Sequence, residues 1–339
     1  MRMVFACKGH NPSSVRWALG YLSDALSRAG HDVPVVDFDR GGTEKDIEGA
    51  DAVMVYRCVD ASMLERVMAW RKRGVFVLYF LDDYIFQMNC KYGGTVKDWM
   101  APVPYMQEAD CLVSSSEYLL SKMPNKPKIL RRTVLGPEGM EFAKQDYRRN
   151  KGVFSVGLTA GKGRKNWTDG MVVEFLAVLE RRLLPGENVV FHYFGEQRFT
   201  CSGQVSSIAH EYVPSDDWKG WISVLKGMDL GIVLNPLEEN DEWCHCKSEL
   251  KFVESGAMGV PLVTSRVRPF VQLVVDRVNG FLASTPSEFA DKVVELMRNE
   301  ELSRKMSATV RSQVDTYYDA DRNASAFWKD VGDTMGRRR

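Results

Sequence analysis

Residues 228–270 read MDLGIVLNPLEENDEWCHCKSELKFVESGAMGVPLVTSRVRPF. The run opens on an apolar strand at 230–234, crosses a polar loop, enters a helical stretch at 248–258 and leaves through a second strand at 261–264. Strand, helix and strand in this order make the crossover unit of a parallel sheet covered by helices. The alternation continues outward. Strands are expected at 153–158 and 189–194, with helices at 170–182, 218–226 and 286–298 and a helical tail at 301–328. The first part of the chain follows the same scheme, with strands at 3–7, 33–38, 52–56, 75–81, 111–114 and 128–130. Helices at 15–29 and 62–73 lie between them and are stopped by Gly30 and Gly74. The almost unbroken apolar run 75–81 predicts a strand buried on both faces.

Between 136 and 152 the alternation breaks into a stretch of charge, Gly and Pro, which marks a boundary. The chain of 339 residues is too long for one ordinary core; two α/β domains of roughly 150 residues each are expected. We place the first at 1–145 and the second at 146–312, with a C-terminal helix at 313–339 that packs back on the first. Two doubly wound domains in tandem predict a cleft where the carboxyl ends of their strands face each other, the usual ligand position in open α/β sheets.

If the stretch from Lys247 is helical, Lys247, Lys251 and Glu254 fall at i, i+4 and i+7 on one face. Ser248 then sits near the free N–H groups of the helix start. A helix N-terminus with two lysines and a serine suits a diphosphate, and a carboxylate one turn further in suits a ribose diol. Gly256 and Gly259 permit close backbone approach. The competing reading is a solvated surface helix with a Lys/Glu face.

Composition narrows the classes. Lys plus Arg and Asp plus Glu are 45 each, so no global basic field points to nucleic acid or an anionic membrane. The seven cysteines are odd in number and show no framework, which predicts reduced thiols and a cytoplasmic setting. No apolar run is long enough for a spanning helix. Cys244-His245-Cys246 lacks the spacing of a zinc pair. The 157–165 stretch does not spell a phosphate loop in register, and no G-x-G-x-x-G precedes a helix.

Read residue by residue, Lys247, Ser248, Leu250, Lys251, Glu254, Gly259, Pro261 and Ser265 closely resemble the donor-binding signature of group 1 glycosyltransferases, in its KSxLKxxE…GxPxxxS version. Pro269 and the Asn279-Gly280-Phe281-Leu282 ending resemble the family's continuation. Weaker similarity covers 16–32, 79–86, 109–117 and the stretch 155–166, where the family has a Gly-rich loop. The resemblance implies a GT-B fold, two Rossmann-like domains facing a central cleft. It also implies sugar transfer from a nucleotide diphosphate sugar, generally with retention and without a metal or other cofactor. The first of the family's two characteristic acids is absent, its place being taken by Cys246.

By that resemblance Lys251 neutralises the departing diphosphate, with Lys162 or Lys165 assisting from the neighbouring loop. Glu254 binds the ribose, and Lys247, Ser248 and Gly157 complete the donor site. Asp82 or Asp83, after a buried strand, can orient the acceptor; helix capping is the competing reading. His10, Asn11 and Ser13, in the first β-to-α loop, can touch acceptor or donor phosphate, or serve only as polar loop residues. The acceptor is expected to be a glycan or a hydroxymethylated base in DNA. Arg71-Lys72-Arg73, Arg131-Arg132 and Arg148-Arg149 permit the latter. A catalytically inactive scaffold of the same fold is the reading from a different class.

Overall fold

A computed structural model describes residues 1–10, 12–85, 101–136, 152–159, 165–194, 199–201, 203–210, 225 and 227–337. The chain divides into two compact units. The first comprises Met1–Gly136, Cys246–Ser248 and Tyr318–Arg339; the second comprises Pro137–His245 and Glu249–Tyr317. The boundary stretch 137–151 and most of the helix expected at 218–226 lie outside the described residues.

The first unit is built on a parallel sheet of six strands, β1 (Met3–Cys7), β2 (Val35–Asp37), β3 (Ala52–Tyr56), β4 (Phe76–Leu81), β5 (Cys111–Ser114) and β6 (Lys128–Leu130). Their spatial order is β2-β1-β3-β4-β5-β6. The four inner strands are buried at every residue. Their unbroken apolar runs are what a strand covered on both faces requires. The outer strands β2 and β6 alternate instead. Pairing brings Cys7 level with Tyr56, Tyr56 level with Phe80, and Leu81 level with Ser114. The carboxyl ends of β1, β3, β4 and β5 therefore lie along one edge.

The second unit carries β7 (Phe154–Thr159), β8 (Val189–Phe194), β9 (Val205–His210), β10 (Leu230–Asn235), β11 (Leu262–Thr264) and β12 (Gly280–Leu282). The order β12-β11-β10-β7-β8-β9 is wholly parallel. Counted within the unit this is 3-2-1-4-5-6, the dinucleotide-fold order, which reverses between β7 and β10. Both units are thus doubly wound, as the alternation predicts.

Several expectations change in detail. The helix expected at 248–258 is Leu250–Ala257, with Glu249 as its N-cap residue. The expected single tail is two helices, Glu300–Tyr317 and Ala320–Gly336. The break falls at Asp319, whose side chain accepts a hydrogen bond from the Arg322 N–H at 2.9 Å and caps the second helix. That helix packs on Tyr21–Arg28 within the first unit. Strands β9 and β12 are additions to the expected set.

Candidate functional site

In the second unit the helix Leu250–Ala257 follows β10 and precedes β11. Lys251 and Glu254 lie one turn apart, and the Lys251 ammonium donates to Glu254 Oε2 at 2.6 Å. The side chains keep 25% and 13% of their surface exposed, so the pair sits at the margin of the packed interior. The helix is anchored from behind by Phe252 and Val253, which are fully buried.

Lys247 and Ser248 do not share this helix. They precede it and group with the first unit, so the expected single face of three charges is reduced to Lys251 and Glu254. The reason lies in the neighbouring side chains. Cys246 is fully buried among the apolar residues of the first unit's core. Lys247 Nζ stands 2.6 Å from Asp83 Oδ1. With 246 and 247 held in this way, the chain turns helical only at Leu250. The burial of Cys246 also accounts for the missing acid, since a carboxylate there would enter an apolar core.

The glycines of this segment serve packing. A Cβ on Gly256 would stand 2.4 Å from Val314 Cγ2, so this glycine lets the helix Glu300–Tyr317 approach. Gly259, at φ +64°, ends the helix in the left-handed conformation. Gly157 lies inside β7 rather than in a loop, and Leu230 fills the space of its missing side chain. Lys165 opens the helix Lys165–Arg182, but its side chain, like all of Lys162, lies outside the described residues.

The loop after β10 is braced by hydrogen bonds that periodicity does not disclose. His245 Nε2–H donates to the Glu239 carbonyl at 2.7 Å, and its Nδ1 accepts from the Arg268 N–H at 3.2 Å. Glu239 Oε1 accepts from the Arg266 N–H, and Ser265 Oγ from the Leu237 N–H. Asn235 and Thr264, buried at the ends of β10 and β11, bond to each other. Both nitrogens of His245 are engaged, Cys246 is in the core and Cys244 lies against Asp241, so these three side chains brace separate contacts.

In the first unit a second cluster gathers at the carboxyl ends of the strands. Asp82 follows β4. Its Oδ2 accepts from the Tyr56 hydroxyl at 2.9 Å and its Oδ1 from Arg57 Nη1 at 3.2 Å. It is therefore held by an ion pair and a phenol. Arg57 takes a left-handed backbone, φ 49°, rare for a side chain of this size. Its guanidinium lies 5.7 Å from the centre of the Tyr56 ring. Burial opposes the charge of Arg57, and the Asp82 carboxylate outweighs it and raises the pKa. Burial, with Asp82 adding to it, lifts the Tyr56 phenol well above its ordinary value, so it stays protonated and donates.

His10 stands beside this cluster, its ring centre 4.9 Å from that of Tyr56. Its Nε2 lies 3.1 Å from the Tyr56 carbonyl oxygen. A carbonyl only accepts, so Nε2 carries the proton and Nδ1 of the neutral ring is an acceptor. Burial, reinforced by Arg57, lowers the His10 pKa and keeps it neutral. Asn11 and the side chain of Ser13 lie outside the described residues. Sequence reasoning missed Tyr56 and Arg57; only their place at the end of a strand could have singled them out.

Three residues of the basic clusters are engaged within the first unit, while Lys72 and Arg132 are exposed. Arg71 bonds Glu108 and Asp110, and Arg73 bonds Glu44. Arg131 is buried with its guanidinium over the Phe80 ring. Arg148 and Arg149 lie outside the described residues. Among the described residues no helix is long and apolar enough to cross a membrane.

No curated protein matches the chain at a significant level. Among solved structures, a glycosyltransferase from Rickettsia africae aligns at TM-score 0.66 and 11% identity, covering 98% of each chain. Anabaena HepE, in complex with UDP and glucose, aligns at TM-score 0.66 and 11% identity, covering 98% of this chain and all of its own. The sucrose-phosphate synthase of Thermosynechococcus elongatus aligns at TM-score 0.64 and 10% identity, covering 99% and 100%. The chain therefore has the two-domain GT-B fold, and its residues 171–299, which include Lys247, Ser248, Lys251 and Glu254, match the family model of the group 1 glycosyl transferases.

Proposed function

We propose that this protein is a glycosyltransferase that moves a sugar from a nucleotide diphosphate donor to an acceptor hydroxyl, with retention of anomeric configuration. The observation that carries the reading is the Lys251–Glu254 pair on a well-anchored helix, inside the segment that matches the transferase family. The structural relative HepE is described in complex with UDP and glucose, which supports a nucleotide-sugar donor of that type. In the reaction the bond from the anomeric carbon to the donor phosphate breaks. The acceptor oxygen bonds to that carbon on the same face, and its proton passes to the departing phosphate. Negative charge grows on the diphosphate as the bond breaks, and a fixed ammonium there lowers the barrier. Lys251 supplies it, with Lys165 or Lys162 as the assisting cation, and no metal step is required. Glu254 accepts from the ribose diol.

A thermal-shift panel of nucleoside diphosphates and their sugars tests the reading, because a ligand of the folded state raises the melting temperature. A selective rise with one nucleotide is the expected result. No rise with any of them sinks it and leaves an inert scaffold of the same fold. Donor hydrolysis by the purified chain excludes that scaffold independently.

We favour a glycan over a hydroxymethylated base in DNA as acceptor, because Arg71 and Arg73 are paired with carboxylates and Arg131 is buried. A DNA acceptor predicts duplex binding that falls steeply with salt, and such binding would reverse this preference.

A further inference from the structure

From Tyr118 to Pro137 the chain has five bases, Lys122, Lys126, Lys128, Arg131 and Arg132, and no acid. The stretch leaves the helix Glu117–Lys122 and forms β6, the outermost strand of the first unit's sheet. Side chains of a strand point to alternate faces. Ile129 and Arg131 are buried, whereas Lys128, Leu130 and Arg132 are exposed. Leu130 keeps 43% of its surface in water, so the outward row runs cation, leucine, cation. Lys122, at the end of the preceding helix, is exposed too. Lys128 Nζ donates to the carbonyl of Met123, the next residue, at 3.1 Å, which brings the row up to that helix end.

Elsewhere in this unit bases meet carboxylates: Arg2 with Asp32, Arg16 with Asp24, Arg66 with Glu44 and Arg71 with Glu108. On the β6 side the contacts described are to neutral groups. Lys126 donates to the carbonyls of Gln107 and Ala109, and Lys128 to that of Met123. The Lys122 ammonium lies 4.9 Å from the centre of the Tyr118 ring. Such contacts hold an ammonium in place without cancelling its charge. Two acids lie near Lys126, Glu108 and Asp110, and both are bonded to Arg71.

Fixed cations flanking an exposed aliphatic side chain match the two layers of an anionic bilayer surface. The headgroup phosphates attract the cations, each raising partitioning about fivefold, and the acyl boundary takes the leucine. A nucleic acid would reward the cations but gain little from Leu130, because bases stack on aromatic faces. We infer that the β6 edge of the first unit docks on an anionic lipid surface through Lys122, Lys128, Leu130 and Arg132. A few cations and one leucine give a reversible, salt-sensitive association and no permanent anchor. The docking is a property of this edge and is independent of the transferase reading.

The test is co-sedimentation of the full chain with vesicles, either phosphatidylcholine alone or phosphatidylcholine and phosphatidylglycerol in equal parts. Binding to a DNA duplex is measured at the same salt. The mixed vesicles should carry the protein down, and the phosphatidylcholine vesicles should leave it in solution. Salt at about 1 M shortens the Debye length to about 3 Å and should release it. Lys128→Gln and Arg132→Gln should each lower partitioning about fivefold. Leu130→Ser should weaken it by a similar factor with the salt dependence unchanged. Lys45→Gln removes an exposed base outside this edge and should change nothing, which separates the edge from net charge. The nucleotide-induced thermal shift should keep its wild-type size in all four variants. No sedimentation, equal sedimentation with both vesicles, or tighter binding of the duplex overturns the inference. So does wild-type sedimentation in both Arg132→Gln and Leu130→Ser, or a loss in Lys45→Gln as large as theirs. Absence of any nucleotide response with lipid binding intact would instead overturn the transferase reading and leave this surface standing.

Discussion

Lys251 and Glu254 are bonded to each other at 2.6 Å across one turn of the helix Leu250–Ala257. A donor that uses both must separate them, its phosphate taking the ammonium and its ribose the carboxylate. The two substitutions should therefore differ in kind. Lys251→Ala removes charge stabilisation that matters most in the transition state, and kcat should fall roughly a hundredfold to a thousandfold. Glu254→Gln should act on donor affinity, raising the donor KM roughly tenfold to a hundredfold, the range for a lost hydrogen bond to a charged group. Steady-state kinetics with the identified donor separates the two, and wild-type values in both variants would refute the assignment.

A second relationship sets a pH dependence. His192 on β8 and His210 on the adjacent β9 stand diagonally, two residues apart in register, with Nδ1 of His192 2.9 Å from Nε2 of His210. Burial, with His210 adding to it, lowers the His192 pKa to about 4. Burial also lowers that of His210. An unfolded histidine near pKa 6.5 binds a proton that the folded one refuses. Between pH 6.5 and about 4 the unfolded state therefore holds more protons, and stability falls as the pH falls. Melting temperatures across this window should decline, and His192→Gln should flatten the decline. An unchanged slope in the variant would exclude this pair as its source.

Glycine substitutions test the packing account of the second unit. Gly256→Ala places a methyl 2.4 Å from Val314 Cγ2 and 3.1 Å from the Val310 carbonyl oxygen. Overpacking of about 1–3 kcal/mol should exceed the helix-propensity gain of about 1 kcal/mol and lower the melting temperature. Gly170, inside the helix Lys165–Arg182, has nothing within 4 Å of an added Cβ. Gly170→Ala should stabilise by about 0.4–1 kcal/mol. Opposite signs in urea titration are the expected outcome.

The helix break at Asp319 yields a third measure of stability. Asp319→Ala removes the acceptor that caps Ala320–Gly336. It should cost about 1 kcal/mol, with amide exchange accelerating first in that helix. Arg28→Ala removes an exposed ion pair to Asp321 in the same region and should cost far less. Equal losses would show that the cap is not what holds the helix.

Much of the architecture was legible because apolar period and length suffice for buried elements. The strands Ala52–Tyr56, Cys111–Ser114, Lys128–Leu130 and Val189–Phe194 fall where the apolar runs place them. The missed strand β9 reads VSSIAH, and among its residues only Val205 is buried. It is an edge strand held by backbone pairing with β8, and such pairing leaves little trace in hydrophobic pattern. The missed β12 is three residues long, too short for any period to register.

The amino-acid sequence by itself determined two doubly wound α/β units and the spacing of Lys251 and Glu254 on one helical turn, because burial and helical period are local properties of the chain. Only the tertiary structure decided that Lys247 leaves that helix for Asp83, and that Gly157 and Gly256 make room for Leu230 and Val314. It also decided that Tyr56 and Arg57 clamp Asp82. Each of these relationships joins residues far apart in the chain, and such a partner is chosen by which strand ends and helix faces the folded core brings within hydrogen-bonding or van der Waals reach.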